Sequence, residues 1–447
     1  MIKINRQKLI FASALLAIAA LTVTTVPAQA FNPRSAEPGL TATSIKLGIT
    51  LPMDGFAAPG YQKIPGAMKA YFDYVNAAGG VHGRKITLEV KDDKYNQQTA
   101  VNNANQLILR DKVFALVGTL GTASTKAIAD KAQLTKRGVP SLFVNTGFSG
   151  FANPNVSDIR NNPRAYATTF SILPSYYMEA KIMSRYLKDK FPGKKLALIY
   201  QDDDFGKDAL AGFKEGGIKF DTEIGYAPPS LSQATTGSGW ISTLKAAAPD
   251  VTVMFGVSSA TTVLLGAAFT GGWVGKTQFV FGSVGGDATT IASRNRGLVA
   301  LLNGAKGFSF APAPTDTSDE YIKLFQTIYA AAQPTQTFDN NVVAGMSNAF
   351  LAVQALHAAG KNLTRKGLIN TIETKGSTLP SPFLTPLGYS KTSHVGATGY
   401  WIGTYGPTGA LTADGGKYTV FTTDSGKGPV VESTFKRPAM PAKGLPN

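Results

Sequence analysis

Short runs of β-branched and other apolar residues alternate along this chain with longer stretches whose apolar positions recur at helical spacing. Residues 45–51 read as a first strand. Ala67, Met68, Tyr71, Phe72 and Val75 then share one face of a helix over 66–76, which Gly79-Gly80 ends. Residues 85–91 alternate Ile86, Leu88 and Val90 as a second strand, and Ala100, Val101, Ala104, Leu107 and Ile108 mark the next helix face. Residues 113–117 form a continuous apolar strand of the kind buried on both faces. A helix over 122–135 and a strand over 139–144 follow. This βαβαβαβ order predicts a parallel sheet with right-handed crossovers and helices on both sides. After an irregular stretch at 147–164 the rhythm restarts. Strands are expected at 195–200, 219–226, 251–255 and 278–281, with helices at 176–190, 205–215, 240–247 and 259–270. Helices at 319–332, 341–359 and 364–374 have no sheet of their own, so they must pack back on an earlier lobe. A Gly/Pro/Thr-rich strand-and-loop tail closes the chain. Two α/β lobes result, with more than one crossing between them.

A length of 447 residues, with 43% apolar, 10% aromatic and 16% charged residues, provides core for two or three lobes and excludes a solvated, disordered polymer. The first thirty residues stand apart. Lys3, Arg6 and Lys8 precede an apolar run from Leu9 to Leu21, and Val26-Pro27-Ala28-Gln29-Ala30 puts small residues before a cut after Ala30. That is the form of a secretory signal, with a run too short to span a bilayer comfortably. The expected mature chain is exported (periplasmic or extracellular), soluble and not lipidated; the alternative is a retained anchor. With no cysteine, disulfides, Cys-ligated metals, thiol nucleophiles and amino-terminal lipid attachment are all excluded. His82, His357 and His394 lie far apart, and no metal or cofactor is expected. The net charge of +16 is dispersed rather than blocked, which suits a solvated surface with mild anion steering and not a nucleic-acid partner. Gly275-Lys276-Thr277 imitates the end of a phosphate loop, but Thr270 occupies the required glycine position and the helix–strand order is reversed. No Gly-x-Ser-x-Gly elbow occurs, and an enzyme is not expected.

Ordered motifs carry a family resemblance. Leu51-Pro52-Met53-Asp54-Gly55, the stretch Val75-Asn76-Ala77-Ala78-Gly79-Gly80-Val81-His82-Gly83-Arg84, Lys91-Asp92-Asp93 and Val117-Gly118-Thr119-Leu120-Gly121-Thr122 are followed by Asp203-Asp204-Phe205-Gly206, Gly271-Gly272-Trp273 and Thr385-Pro386-Leu387-Gly388-Tyr389-Ser390. From about Ser44 to Tyr405 this resembles the leucine/isoleucine/valine-type periplasmic solute-binding proteins of ABC importers. The resemblance implies an α/β, type I periplasmic binding protein fold. Its two Rossmann-like lobes have parallel sheets joined by three hinge strands and close like a flytrap on a solute. It places lobe 1 at 44–168 plus 308–378, and lobe 2 with the tail at 169–307 plus 379–447. Crossings are expected near 168–171, 304–310 and 377–387. The implied partners are a small solute and ABC permease subunits in the membrane, with the protein a monomer. The solute is a small carboxylate, by family a branched-chain amino acid. The alternatives are an aliphatic or aromatic organic acid, or a ligand-sensing receptor subunit of the same fold.

Residues 118–125 run from a buried strand into a helix start, where free N–H groups and the helix dipole favour an anion. The resemblance assigns the ligand carboxylate to Gly121 and Thr122; the structural alternative is that Thr122 only caps its helix. It also brings Thr146 and Phe148 to the cleft, where an ordinary turn is the alternative, and makes Phe205 an aromatic lid residue rather than plain core. Asp202, Asp203 and Asp204 read as helix N-terminal charge. Two departures from the family pattern bear on the ligand. The position that usually supplies an acid for an ammonium is Val284, with Asp287 able to substitute only from a longer loop, and an expected aromatic is Val257.

Overall fold

The computed structural model describes residues 37–154, 165–228, 231–423 and 428–446; the expected secretory signal lies outside them. The first half contains β1 (Ser44–Leu51), α1 (Ala58–Tyr61), α2 (Ile64–Ala77), β2 (Lys85–Asp92), α3 (Gln97–Leu109) and β3 (Ala115–Val117). It continues with α4 (Thr122–Lys131), α5 (Leu134–Arg137), β4 (Ser141–Val144), α6 (Ser149–Ala152) and β5 (Thr169–Ser171). The second run is α7 (Tyr176–Lys190), β6 (Leu196–Gln201), α8 (Asp204–Glu215), β7 (Thr222–Tyr226), α9 (Ser238–Ala247) and β8 (Val251–Phe255). Then come α10 (Ser258–Thr270), β9 (Gln278–Phe281), α11 (Ala288–Arg294) and β10 (Lys306–Ser309). Last are α12 (Glu320–Ala332), α13 (Asn340–Ala358), α14 (Arg365–Lys375), β11 (Gly399–Tyr405), β12 (Leu411–Ala413), β13 (Val420–Thr422) and β14 (Val431–Glu432).

These strands form two sheets. The first, in the order β2-β1-β3-β4-β5, is parallel throughout. The second runs β14-β13-β11-β10-β9-β8-β6-β7 with β12 on β11; its β10-to-β7 half is parallel and its β11–β14 half antiparallel. In each sheet the strand order reverses beside the founding strand, β1 or β6, and that is where open α/β sheets leave a crevice at their carboxyl edge. The C-terminal helices pack back on the first sheet, as their lack of a sheet predicts. Most of α13 is buried; it lies on α2, and Asn348 Nδ2 donates to the Phe143 carbonyl of β4 at 2.6 Å.

Three boundaries differ from expectation. Residues 169–171 pair with β4 and so complete the first sheet, whereas 308–309 pair with β11 in the second. The end of the tail does not stay with the second lobe. Its β14 stretch follows α7, where Lys181 Nζ donates to the Gly428 carbonyl, but its last residues lie on α2 and α12. There the Tyr71 and Tyr74 hydroxyls donate to the carbonyls of Gly444 and Lys443 at 2.5 and 2.9 Å. Buried phenols need such acceptors. Arg437 pairs with Asp319, the cap of α12, and stacks over the Tyr321 ring at 4.8 Å. Arg437→Ala is therefore expected to lower stability by about 2–3 kcal/mol in urea unfolding, because it leaves a largely buried carboxylate without its cation.

Candidate functional site

One wall begins where β3 turns into α4. Gly121, the residue before the helix, has φ 91°, and a Cβ there would approach the Tyr95 ring to 2.8 Å. Glycine therefore lets the chain enter α4 tightly. No side chain caps the helix, and Thr122, Ser124 and Thr125 are buried. A buried helix start without a capping acceptor leaves N–H donors for an anion. The Thr122 and Thr146 hydroxyls lie 2.7 Å apart, and the buried Tyr176 lines the cavity beside Thr122. Burial pushes the Tyr176 phenol up, so it stays a neutral donor.

The facing wall comes from the carboxyl edge of the second sheet. Asp203 caps α8, accepting from the Phe205 amide at 2.9 Å, and this seats Phe205 against Tyr176 with ring centroids 4.4 Å apart. Residues 282–287 are held from behind. Glu179 of α7 accepts from Ser283 N and Oγ at 2.5 and 2.9 Å, while Ser258 Oγ donates to the Val284 carbonyl and accepts from the Asp287 amide, both at 3.1 Å. Asp287 caps α11. Its Oδ2 accepts from Thr290 N at 2.8 Å, Thr290 Oγ1 at 2.5 Å and Asn341 Nδ2 at 3.1 Å. Its Oδ1 has no hydrogen-bond partner among the described residues. Burial, and then the neighbouring Asp339, raise Asp287 to about 6. Lys63 is close by but is paired with Asp339 at 2.6 Å.

Between the walls lies a cavity of about 340 Å³. Gly121, Thr122, Phe205, Val257, Val284 and Asp287 all line it; Thr146 and Phe148 do not. The cause is a β-bulge between Ser141 and Val144, where Phe143 takes φ 51°. One extra residue exchanges the faces of those that follow. Asn145 consequently reaches the cavity, while Thr146 turns back to support Thr122. Phe148 packs on Phe151 at 5.3 Å, and its amide donates to Thr146 Oγ1 at 3.3 Å. Sequence reasoning missed Tyr61, Tyr95 and Tyr176, together with Phe308, Phe310 and Trp401 in and beside β10 and β11. Pro59-Gly60 before Tyr61 was the one legible signal, since Gly60 has φ 89° and a Cβ there would strike Thr290 Oγ1 at 2.2 Å.

The rims of the cavity touch. Lys126 Nζ meets Asp204 at 2.7 Å, the Ser149 amide donates to Asp208 Oδ2 at 2.9 Å, and Thr290 Oγ1, whose proton goes to Asp287, lies 3.1 Å from the Pro59 carbonyl. Arg294 Nη2 donates to the Phe56 carbonyl at 2.7 Å. Among the described residues, no group of three His, Cys, Asp or Glu could hold a metal ion, and no helix is long and apolar enough to cross a membrane.

Two α/β lobes whose carboxyl edges enclose one solute-sized cavity define a bilobal, cleft-binding protein. The chain belongs to the periplasmic binding protein family, whose model matches residues 44–410. It is similar to Leu/Ile/Val-binding protein homolog 7 of Brucella suis biovar 1, at 26% identity over 276 residues. That match spans 61% of this chain and 63% of the relative, under two thirds of the relative's length. Its fold is that of a branched-chain amino acid ABC transporter structure from Thermus thermophilus with bound valine. The TM-score is 0.71 at 18% identity, covering 87% of this chain and 99% of that one. It is also that of a solute binding protein of an ABC transporter from Rhodopseudomonas palustris BisB5 in complex with 3,4-dihydroxy benzoic acid. There the TM-score is 0.66 at 21% identity, covering 81% and 93%.

The buried acids set a pH dependence. Burial raises Asp93 and Glu179 to about 7, and Asp208 and Asp287 to about 6. The folded chain thus holds protons that the unfolded chain has released above about pH 4.5, so stability falls as pH rises through 5–7. Burial raises Asp203 as well, so His357, lowered by burial, works against this as one group facing five. Asp250, lowered by the Lys195 amide, acts only at lower pH. Differential scanning fluorimetry of the ligand-free protein should give a higher Tm at about pH 5 than at about pH 7.5. The reverse order would mean that these carboxyls stay charged when buried.

Proposed function

We propose that this protein is an exported solute-binding protein that captures an α-amino acid with an apolar side chain between its lobes and delivers it to the permease of an ABC importer. One observation carries the reading. An uncapped, buried helix start on one wall faces a carboxylate with a free oxygen on the other, across an otherwise mostly apolar cavity. Thr122 and the first amides of α4 take the ligand carboxylate. Asp287 Oδ1 takes the ammonium, which would otherwise cost several kcal/mol to bury. Phe205, Val257 and Val284 cover the apolar body. The name of the Brucella relative and the valine-bound Thermus structure support the same ligand class.

A second reading, an aliphatic or aromatic organic acid, draws on Val284 at the family's acid position and on the raised Asp287, which can turn neutral. The dihydroxybenzoate-bound structure supports it. Calorimetry separates the two. Leucine should bind at least tenfold tighter than 4-methylpentanoate, a difference of about 1.4 kcal/mol, and Asp287→Asn should abolish the difference. Leucine affinity should also decline below about pH 6 as Asp287 takes up its proton. Equal affinities, or a preference for the des-amino acid, would select the organic acid.

Closure follows from size. A free amino acid of roughly nine heavy atoms bound at micromolar strength gains about 0.9 kcal/mol per atom, inside the ceiling of about 1.5 for very small ligands. That efficiency requires contact from both lobes. Small-angle scattering should therefore show a smaller radius of gyration on adding leucine; an unchanged radius at saturation would defeat the hinge.

A further inference from the structure

We infer that Tyr95 is a ligand-binding residue whose hydroxyl donates to the same carboxylate that the start of α4 receives, from a side chain tied at once to the second lobe. This rests on the ligand carboxylate common to both readings above, and it does not depend on the choice between them.

The proton count along one chain of hydrogen bonds carries it. The Val257 amide can only donate, and it gives its proton to the Tyr226 hydroxyl oxygen at 3.3 Å. Tyr226 in turn donates to Gln201 Oε1 at 3.4 Å, while Gln201 Nε2 donates to Asp203 Oδ2 at 2.8 Å. These two contacts fix which end of the Gln201 amide is oxygen and which is nitrogen. The second Nε2 hydrogen goes to the Tyr95 hydroxyl oxygen at 3.3 Å, so the fully buried Gln201 has no donor left. Tyr95 is therefore an acceptor toward the second lobe, and its own proton is left to give. Among the described residues nothing takes it. Burial pushes the Tyr95 phenol well above its ordinary value, so the proton stays on.

The place of that donor points to the carboxylate. Tyr95 follows β2 in the first lobe, lines the cavity and stands over Gly121. A Cβ on Gly121 would lie 3.5 Å from the ring carbon that bears the hydroxyl and 2.8 Å from its neighbour. The hydroxyl end thus sits beside the entry to α4. Its aim is set by the backbone: Lys94 and Tyr95 take φ 53° and 59°, which bulky residues rarely adopt. The buried Asp93 holds this turn, accepting from the Tyr95 amide at 2.9 Å and from the Thr50 hydroxyl at 3.0 Å. The ring itself packs against the main hydrophobic core and against the second lobe's own core. A carboxylate has about four acceptor sites, room for the amides of α4, the Thr122 hydroxyl and a phenol together.

Tyr95→Phe removes the hydroxyl and keeps the ring. In calorimetry on the full chain it should weaken leucine and 4-methylpentanoate alike, by about tenfold or more, because both carry the carboxylate and only leucine the ammonium. A crystal structure of the wild-type protein with the tighter of the two should put the Tyr95 hydroxyl within about 3 Å of a carboxylate oxygen; it decides if the variant folds poorly by circular dichroism. Unchanged affinities in Tyr95→Phe, or a phenol that in the complex donates to water or protein instead, would overturn the inference and leave the amino-acid reading intact. If 4-methylpentanoate binds tighter than leucine and loses tenfold in the variant, the amino-acid reading falls and the role of Tyr95 stands. Wild-type protein that binds neither acid overturns both.

Discussion

The start of α4 is the constraint around which the first lobe is arranged. A helix that begins in the protein interior with no capping side chain leaves its first N–H groups unsatisfied, and burying such groups is costly unless something accepts from them. Gly121 keeps the entry to the helix tight, and Thr122, Thr146 and Tyr176 add hydroxyls rather than acceptors strong enough to finish the turn. The first lobe thus presents donors to the cleft and little charge. The second lobe answers with Asp287, whose three donors all converge on one oxygen. Each half of the site is incomplete alone, and on the proposed reading a zwitterion completes both.

Much of this was legible in the residues because local pattern and global fold agree. The apolar runs of β1, β3, β6 and β8 are buried on both faces, as a parallel sheet between helix layers demands, and the α4 start follows directly from a strand–glycine–threonine order. What escaped depends on geometry that spacing does not record. The bulge at Phe143 decides that Asn145, not Thr146, reaches the cavity. Asp287 reaches the wall because Ser258 and Glu179 fold residues 282–287 from behind, across contacts of 29 and 104 residues in sequence. The tail returns to α2 because two buried phenols need carbonyls, a demand visible only once α2 is placed.

The rim contacts explain how a closed cleft can still open. They are a half-exposed Lys126–Asp204 pair, hydroxyl and amide bonds to Asp208, and the Arg294 bond to the Phe56 carbonyl. Exposed ion pairs contribute about 0–1 kcal/mol and ordinary hydrogen bonds about 0.5–1.5 each, and opening returns these groups to water. Asp208 weakens the latch further, because burial raises it to about 6 and its charged form prefers to be solvated. If the lobes open as proposed, such a set leaves the two forms within a few kcal/mol of each other. A ligand that touches both walls binds the closed form alone, and moving a two-state balance from 1:99 to 99:1 takes about 5.5 kcal/mol of differential affinity. On the proposed reading, a paired carboxylate, a paired ammonium and a buried side chain supply that much. On the proposed reading, the weak rim lets the solute, rather than the protein's own contacts, decide when the lobes close.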